Sequence, residues 1–365
     1  SVNTGYDTNV SNSDTGGANS FFTSASLGLT YSFGTERTRG SLSWGAGATY
    51  YSNGKNDRFD FNPDTSLQLS LSHDVSERLS LNLASTIRYG IEPDFAAGVG
   101  ENRRSGNYFY TSDSISAPYK WLERFSTVTT YSFAVLHYND DSFGTLLNRF
   151  DNNLSQQFRF LFLPMTNIIA EYRFGLVTYE TANANSVAHF LLGGIDQTIG
   201  PHLVGSFRAG AEFRSSDLED SNSTSPYFDG SLNYELGEKT SVSVSARYST
   251  EEGNVTEATS RTSFSTGVNL TYALTPRISS NASFFYQHND NVGRKTIFYD
   301  PVAQRFFIGV PSFTEQSFDL GLDLSYAINP RISASAGFHY SDISSEFTGR
   351  PYSRARYFGG VTYSF

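Results

Sequence analysis

The sequence predicts an all-β protein, a transmembrane antiparallel up-and-down β-barrel of about 18 strands. Apolar or aromatic residues alternate with polar or small residues along most of the chain, which is the period of a strand with two different faces. No apolar run reaches the roughly 18 residues that a spanning helix needs. Short and long connections follow each other in turn, as expected when each strand is joined to the next by a hairpin.

Aromatic residues supply most of the apolar character of the chain. Phe, Trp and Tyr make up 15% of the residues, with 31 Phe and 23 Tyr. Ser, Thr, Asn and Gly fill the positions between them, a composition that favours strands over helices. There is no cysteine, which excludes disulfides and thiolate metal sites. The net charge of -10 argues against a nucleic-acid partner, because binding to phosphates requires a basic surface.

The alternating segments can be read in order along the chain. In 20–33, for example, Leu27 and Leu29 alternate with Ser26 and Gly28. Sixteen strands are the alternative to 18, because the alternation of apolar and polar residues is irregular in the first and sixth segments. The predicted strands are 1–10, 20–33, 41–51, 67–71, 79–89, 107–119, 124–138, 149–163, 167–180, 186–198, 203–214, 226–236, 240–250, 262–274, 278–288, 314–328, 331–342 and 355–365.

The connections alternate between two kinds. We expect the short ones to be periplasmic turns and the longer polar ones to be extracellular loops, which is the arrangement of outer-membrane barrels. Tyr272 to Ser279, which contains one short turn, reappears as Tyr326 to Ser333. We therefore expect repeated hairpins within a single barrel domain covering 1–365. A soluble sandwich, solenoid or propeller is the competing interpretation, and it rarely combines so many strands with turns this regular.

Both ends of the sequence resemble known outer-membrane proteins. Val361, Tyr363 and Phe365 look like the carboxy-terminal signal that bacterial outer-membrane barrels present to the insertion machinery. Residues 5–10, GYDTNV, resemble the start of an outer-membrane β-barrel porin family that includes barrels linked to exopolysaccharide export. The resemblance implies a bacterial, Gram-negative outer membrane, with lipid, lipopolysaccharide and the insertion machinery as partners. Ser1 is not followed by a charged and then an apolar stretch, so we expect the signal peptide to have been removed.

Charged residues of both signs occupy the positions assigned to the lumen. They either create a transverse field that selects solutes or form salt bridges that brace the wall. The predicted lumen charges are Arg88, Arg159, Arg173, Arg208, Arg247, Glu171, Glu212, Asp229, Glu235, Asp319 and Asp323.

The loop 289–313 is the longest connection and is unusually apolar. It either folds inward as a constriction or packs against a neighbouring subunit, and a self-packed extracellular hairpin is the alternative. The residues expected to form the constriction are Phe298, Tyr299, Arg305, Phe306 and Phe307.

No catalytic, cofactor or metal site is predicted. Asp57, Asp60 and Asp64 share a loop region with basic residues at a spacing unlike that of a calcium loop. The best of the weak catalytic candidates is His339, near Ser341 or Asp342, and it lies in no recognisable motif. We therefore expect no enzyme.

A barrel of this size leaves an aqueous channel, so the predicted function is a porin-like channel for passive diffusion of small hydrophilic solutes. Two alternatives stay open: a conduit for polysaccharide export that works with periplasmic partners, and a structural or adhesive barrel that binds surface proteins through its loops. The inward positions of Phe22, Tyr51, Phe285 and Phe358 point weakly to the conduit, because sugars stack on aromatic rings. Homo-oligomerisation is also left open.

Overall fold

The computed structural model describes residues 1–12, 17–52, 61–92, 94, 107–182, 184–200, 202–217, 221–237, 239–294, 297–300, 305–309 and 311–365. For 221, 297–300 and 305–308 it describes the backbone alone. Within these ranges, no helix has both the length and the apolar character needed to cross a membrane.

Eighteen strands form one closed antiparallel sheet. Consecutive strands pair with each other, β15 pairs with β18, and β20 returns to pair with β1. The strands are β1 (Val2–Asp7), β2 (Ser20–Gly34), β3 (Thr38–Tyr51), β4 (Phe61–Asp74), β5 (Ser80–Gly90), β6 (Tyr108–Lys120), β7 (Phe125–Tyr138), β8 (Arg149–Leu163), β9 (Thr166–Tyr179), β10 (Ser186–Ile199), β11 (Leu203–Ser216), β12 (Ser221–Leu236), β13 (Thr240–Glu252), β14 (Ala258–Thr275), β15 (Ile278–Gly293), β18 (Phe313–Asn329), β19 (Ile332–Ser345) and β20 (Tyr352–Tyr363). The prediction of an 18-stranded barrel is confirmed, and the 16-stranded alternative is wrong.

The closing seam between β1 and β20 is a regular ladder. Tyr6 stands opposite Tyr357 of β20 and opposite Phe21 of β2. On the outer face of β20, Val361 and Tyr363 are 51% and 54% exposed. A closed ladder leaves no unpaired strand edge, so the backbone hydrogen bonds of the wall are satisfied within the protein.

The two faces of the sheet differ in chemistry. The outer face carries exposed large apolar side chains such as Leu27, Leu29 and Tyr31. The inner face of the half nearest the tight turns carries small polar side chains such as Ser70 and Asn269, which are exposed to the lumen. Apolar outside and polar inside is the arrangement expected of a barrel that stands in lipid and encloses water.

The internal repeat marks two tight turns with the same hydrogen bonds. Thr275 Oγ1 accepts bonds from the backbone N–H groups of Arg277 and Ile278 at 3.2 and 3.0 Å. Asn329 Oδ1 accepts the equivalent bonds in the other copy, both at 2.9 Å. A short polar side chain that caps its own turn explains why Thr and Asn occupy this position.

Two short elements lie inside the long connections: the helix was not predicted, and a hairpin was named only as an alternative for the longest connection. A short helix, α1 (Asp141–Leu147), is capped by the Asp140 side chain, which accepts a bond from the backbone N–H of Ser142. A hairpin, β16 (Ile297–Asp300) with β17 (Arg305–Ile308), lies within the longest connection. Both elements are too short for a periodic pattern to reveal them.

Buried apolar clusters lie inside the barrel near the long connections, at the end we call the loop end. Tyr108, Leu136 and Tyr138 pack with Leu147 of α1 in one cluster. The opposite end, where the tight turns are, has exposed polar inward side chains instead. The lumen is therefore filled from the loop end, and this half of the barrel holds the candidate site.

Candidate functional site at the loop end of the lumen

The connection between β13 and β14, residues 253–257 and here called the inner loop, folds into the lumen. Gly253, Asn254 and Val255 are buried, whereas the loops of a protein ordinarily run over its surface. Val255 belongs to an apolar cluster with Phe313 at the start of β18. The inner loop therefore narrows the lumen from the loop end.

Arg149, at the start of β8, holds the inner loop from across the barrel. Its guanidinium donates to the carbonyl oxygen of Gly253 at 3.2 Å and to Oδ1 of Asn254 at 3.0 Å. The strands β9, β10, β11 and β12 lie between β8 and β13 in the barrel order. Because the bonds bypass these strands, they cross the lumen instead of following the wall.

Glu252 is the last residue of β13, and its buried carboxylate binds side chains from three further strands. Tyr179 of β9 donates to it at 3.1 Å, and Ser186 of β10 donates at 2.5 Å. Arg214 of β11 forms an ion pair and a hydrogen bond with it. Charge-assisted hydrogen bonds of this kind are the stronger ones, so Glu252 fixes the base of the inner loop.

The far side of the inner loop contacts two other connections. Arg350, between β19 and β20, lies 2.6 Å from Glu315 and 3.9 Å from Glu257 of the inner loop. Arg294, which follows β15, donates to the carbonyl oxygen of Thr256 at 3.0 Å. Burial lowers the pKa of the Arg294 guanidinium, because desolvation disfavours its charged form. The inner loop is thus held from both sides of the lumen.

A second inward anchor is centred on Arg354 of β20. Its guanidinium lies 2.5 Å from the fully buried carboxylate of Asp7 and 2.7 Å from Glu92, in the connection after β5. Tyr51 at the end of β3 donates to the same Asp7 carboxylate at 3.2 Å. β1, β2, β3 and β4 separate β20 from β5, so this anchor also draws a long connection inward.

The charges predicted for the lumen on β8, β9 and β11 are paired within that part of the wall. Arg173 and Arg208 lie 2.9 and 3.9 Å from Glu171. Arg159 and Arg208 both contact Asp196 of β10. Positive and negative groups therefore interleave on one side of the barrel instead of standing on opposite walls. This is the geometry of ion pairs that brace the wall.

Two other predicted charges also have partners. Arg88 lies 2.8 Å from Asp94, in the connection after β5. Glu212 is fully buried and lies 2.8 Å from Arg214. Because Arg214 contacts Glu252 as well, Glu212 belongs to the network at the base of the inner loop.

The remaining predicted carboxylates, Asp229, Glu235, Asp319 and Asp323, make no ion pair with Arg or Lys among the described residues. Asp319 accepts a hydrogen bond from Ser341 at 2.6 Å. Asp229 and Asp319 line a cavity in the middle of the lumen. These groups leave negative charge on β12 and β18, away from the interleaved wall.

His339 and Ser341 do not form the dyad that their proximity in sequence suggested. The His339 imidazole lies 3.4 Å from Asp323, whereas the Ser341 hydroxyl donates to Asp319. A serine nucleophile needs a base within hydrogen-bonding reach. The arrangement of these two residues is therefore that of side chains in a polar wall.

Two predicted features fall outside what the structure describes. Asp57 and Asp60 lie outside the described residues, and among the residues that are described no group of three His, Cys, Asp or Glu is placed to bind a metal ion. The constriction predicted in 289–313 lies on the β16–β17 hairpin, of which only the backbone is described. It therefore stays a prediction for Phe298, Tyr299, Arg305, Phe306 and Phe307.

The inward aromatic side chains form packed clusters. Phe22 and Tyr51 are only 3% and 1% exposed and pack with Phe358. Phe285 packs separately, against Ile343 and the neighbouring Tyr352. The buried rings of Phe22 and Tyr51 offer no free face to a passing sugar. Phe285 and Phe358 are only partly buried, and Phe285 lines a cavity in the middle of the lumen. The aromatic track considered for a polysaccharide conduit therefore stays a prediction.

Two of the cavities formed by the described residues are large and lie in or next to the loop-end half of the lumen. The first, of about 540 Å³, lies against the inner loop and is here called the loop-end cavity. The second, of about 640 Å³, is the mid-lumen cavity. Arg247 lines both. Among the paired charged side chains of the loop-end cavity it is the most accessible, at 50% exposure, whereas Glu171 and Glu252 are 2% and 9% exposed. The accessible charge at the junction of the cavities is therefore positive.

Tyr227 supports this junction. Arg173 and Arg247 lie 5.4 and 5.9 Å from the centre of its ring, within the range of cation–π attraction. Arg173 also donates to the Tyr227 hydroxyl at 3.1 Å. The two guanidiniums are therefore held at defined positions beside one aromatic side chain.

Sequence reasoning missed Arg149, Glu252, Arg354 and the inner loop. Arg149 lay at the edge of a predicted strand, and 253–257 lay in what was expected to be an ordinary polar loop. Val255, the one apolar side chain among these loop residues, was the available signal. Its burial depends on contacts from distant strands, which a local pattern does not contain.

The fold and the site together define a class of protein: a closed β-barrel with an apolar outer face, a polar lumen and an inward loop. Over residues 1–365, the chain matches the family described as "Putative beta-barrel porin 2" and belongs to that family. It is thus an outer-membrane β-barrel of the porin type. Among proteins whose function is curated, none matches the chain.

Solved structures similar to this chain include several outer-membrane proteins. The outer membrane protein OpdK of Pseudomonas aeruginosa is 12% identical, with coverage of 99% of this chain and 96% of that one and a TM-score of 0.47. The FrpB iron transporter of Neisseria meningitidis is 11% identical, with a TM-score of 0.44. The match covers 94% of this chain and 61% of FrpB, so this chain spans about three fifths of the length of that protein.

Proposed function

We propose that the protein is an outer-membrane channel through which small hydrophilic solutes diffuse passively. The observation that supports this most is the pair of cavities, of about 540 and 640 Å³, that meet at Arg247 inside the closed barrel. Because charged and polar side chains line both cavities, water and hydrated solutes can occupy them. The inner loop limits the size of a solute, and the wall charges bias its sign.

We further propose that the passage prefers anions where the two cavities meet. The carboxylates of the loop-end cavity are in ion pairs with arginines. Arg247 is paired with Glu251 at 3.5 Å, but its side chain is 50% exposed, whereas that of Glu251 is 26% exposed. The most exposed charge at this point is therefore positive, and Asp229 and Asp319 supply negative charge elsewhere in the mid-lumen cavity. An accessible guanidinium attracts carboxylates and phosphates and repels cations.

Bilayer recordings on the purified protein test both proposals. With a salt gradient across the bilayer, Arg247→Gln should shift the reversal potential toward cation selectivity while the pore stays open. Arg277→Gln is the matched control, because it removes the same charge from an exposed tight turn. An equal shift in both variants would contradict the role of Arg247 at the passage.

Vesicle swelling with sugars of increasing size tests the diffusion of neutral solutes. We expect monosaccharides to enter vesicles that contain the protein and larger oligosaccharides to be excluded. Absence of swelling with every sugar, together with absence of conductance, would contradict a channel and favour a structural or adhesive barrel. Entry of long saccharide chains would favour the polysaccharide conduit.

A further inference from the structure

A carboxylate lies on the outer face of the barrel, away from the strand ends. Asp113 of β6 stands opposite Ser85 of β5, and the Ser85 hydroxyl donates to it. The next outward residue of β6, Ile115, is 45% exposed on the same face. Directly opposed residues share a face of a sheet, so Asp113 and Ser85 both point away from the lumen.

The depth of Asp113 places it in the apolar band. Tyr119, near the tight-turn end of the same strand, is in edge contact with Trp121 at 4.5 Å, as in an aromatic girdle. Asp113 is six residues from Tyr119, which is about 20 Å along the strand and roughly 15 Å of depth for a tilted strand. The apolar band of such barrels is about 25 Å tall.

The other outward carboxylates of the described strands lie near strand ends. Asp290 and Asp342 are each within four residues of the loop end of β15 and β19. Those positions are at the membrane boundary, where charge is tolerated. Asp113 thus differs from them, and a charged group facing hydrocarbon is unfavourable unless a polar partner covers it.

Polar side chains continue from Asp113 across the two following strands. Tyr131 of β7 donates to Oδ1 of Asn152 of β8 at 2.8 Å. Thr129 of β7 donates to Oε1 of Gln156 at 2.7 Å. Tyr131 is 44% exposed, which places this network on the outer face. We call Ser85, Asp113, Thr129, Asn152 and Gln156 the polar outer patch.

We propose that the polar outer patch binds the same patch of a second copy of this chain within the membrane. All copies are inserted into the membrane in the same orientation, so the polar outer patch lies at the same membrane depth in each copy. Asp113 is an acceptor on one side of β7. On the other side the amide nitrogen of Asn152 is a donor, and the Gln156 amide nitrogen, which donates one N–H to the carbonyl oxygen of Gln157 at 3.1 Å, has a second N–H to donate. A two-fold contact along β7 therefore brings acceptor against donor in both directions.

The surrounding side chains suit such a contact. Phe133 of β7 lies between Asp113 and Asn152 in the register, and it stacks on Phe150 with ring centres 6.3 Å apart. Leu154 is 48% exposed beside them. Apolar side chains of this kind exclude lipid around the polar bonds, so the bonds between the two copies form out of contact with water.

Crosslinking in lipid vesicles tests the proposal, because the native chain has no cysteine. Phe133→Cys should give a crosslinked dimer with a short thiol-reactive reagent. Leu322→Cys is the matched control, because Leu322 is 44% exposed on β18, nine strands away around the barrel of 18. Equal yields at the two positions would contradict an interface at β7.

Substitution of Asp113 separates the contact from folding. In the Phe133→Cys background, Asp113→Leu should abolish the dimer, whereas Asp113→Asn, which keeps hydrogen bonding, should retain it. Both variants should keep the conductance of the parent, which shows that they are folded. A dimer that survives Asp113→Leu at the parent yield, or a parent chain that is monomeric in vesicles, would overturn the proposal.

Discussion

At the scale of single residues, the inward arginines are anchors of the fold as well as charges in a lumen. Arg354 is 7% exposed and contacts Asp7, which is fully buried. A buried charge is tolerated only when it is paired and hydrogen bonded. Each anchor is therefore sensitive to the loss of one partner. Around Asp7 the nearest cation is Arg354, and Arg356 lies farther away at 3.6 Å.

We predict that Arg354→Ala destabilises the barrel by about 3 kcal/mol, because the fully buried Asp7 carboxylate loses its nearest cation and keeps Arg356 at 3.6 Å. The matched control is Arg39→Ala. The Arg39 side chain is 77% exposed and 4.0 Å from Asp74, so its loss should change the free energy of unfolding by less than about 1 kcal/mol. Urea unfolding in detergent, followed by tryptophan fluorescence, measures both. Similar losses in the two variants would contradict the anchor.

At the scale of elements, the inner loop is the part of the structure that most affects passage. It enters the lumen because bonds from β8, β9, β10 and β11 hold it and its base. The hairpin of β16 and β17 is the other candidate constriction, predicted from its apolar residues. The two elements can be separated, since each can be altered without the other.

We predict that Arg149→Ala raises single-channel conductance, because the inner loop loses the two bonds that Arg149 makes to it across the lumen. Deletion of 296–308 should raise it as well if that hairpin constricts the pore. Each variant is compared with the parent in planar bilayers. Unchanged conductance in Arg149→Ala would contradict the role of the inner loop. Unchanged conductance in the deletion variant would contradict a constriction by the hairpin.

The strands could be predicted from the sequence, whereas the site could be predicted only in part. Alternation in segments such as 20–33 fixes which side chains point outward, since lipid and water select opposite chemistry on the two faces of one strand. The same parity places Arg173 and Arg247 in the lumen. It does not give their partners, because the pairing of Arg149 with Asn254 depends on how distant strands and a loop meet in three dimensions.

At the scale of the whole molecule, one closed wall supports different features on its two faces. Inside, paired charges brace the loop end and leave two cavities that share Arg247 in their lining. Outside, apolar side chains cover most of the wall, and the polar outer patch interrupts them on β5 to β8. Conduction and self-association are therefore properties of opposite faces, so variants of one should leave the other unchanged.

The most direct test of the central claim is a single-channel recording of the purified protein in a planar lipid bilayer at neutral pH. The proposal predicts discrete, stable conductance steps that increase when Arg149→Ala releases the inner loop. A bilayer that holds folded, inserted protein and yet shows no steps for the parent chain or for the variant would contradict a continuous aqueous passage through the barrel.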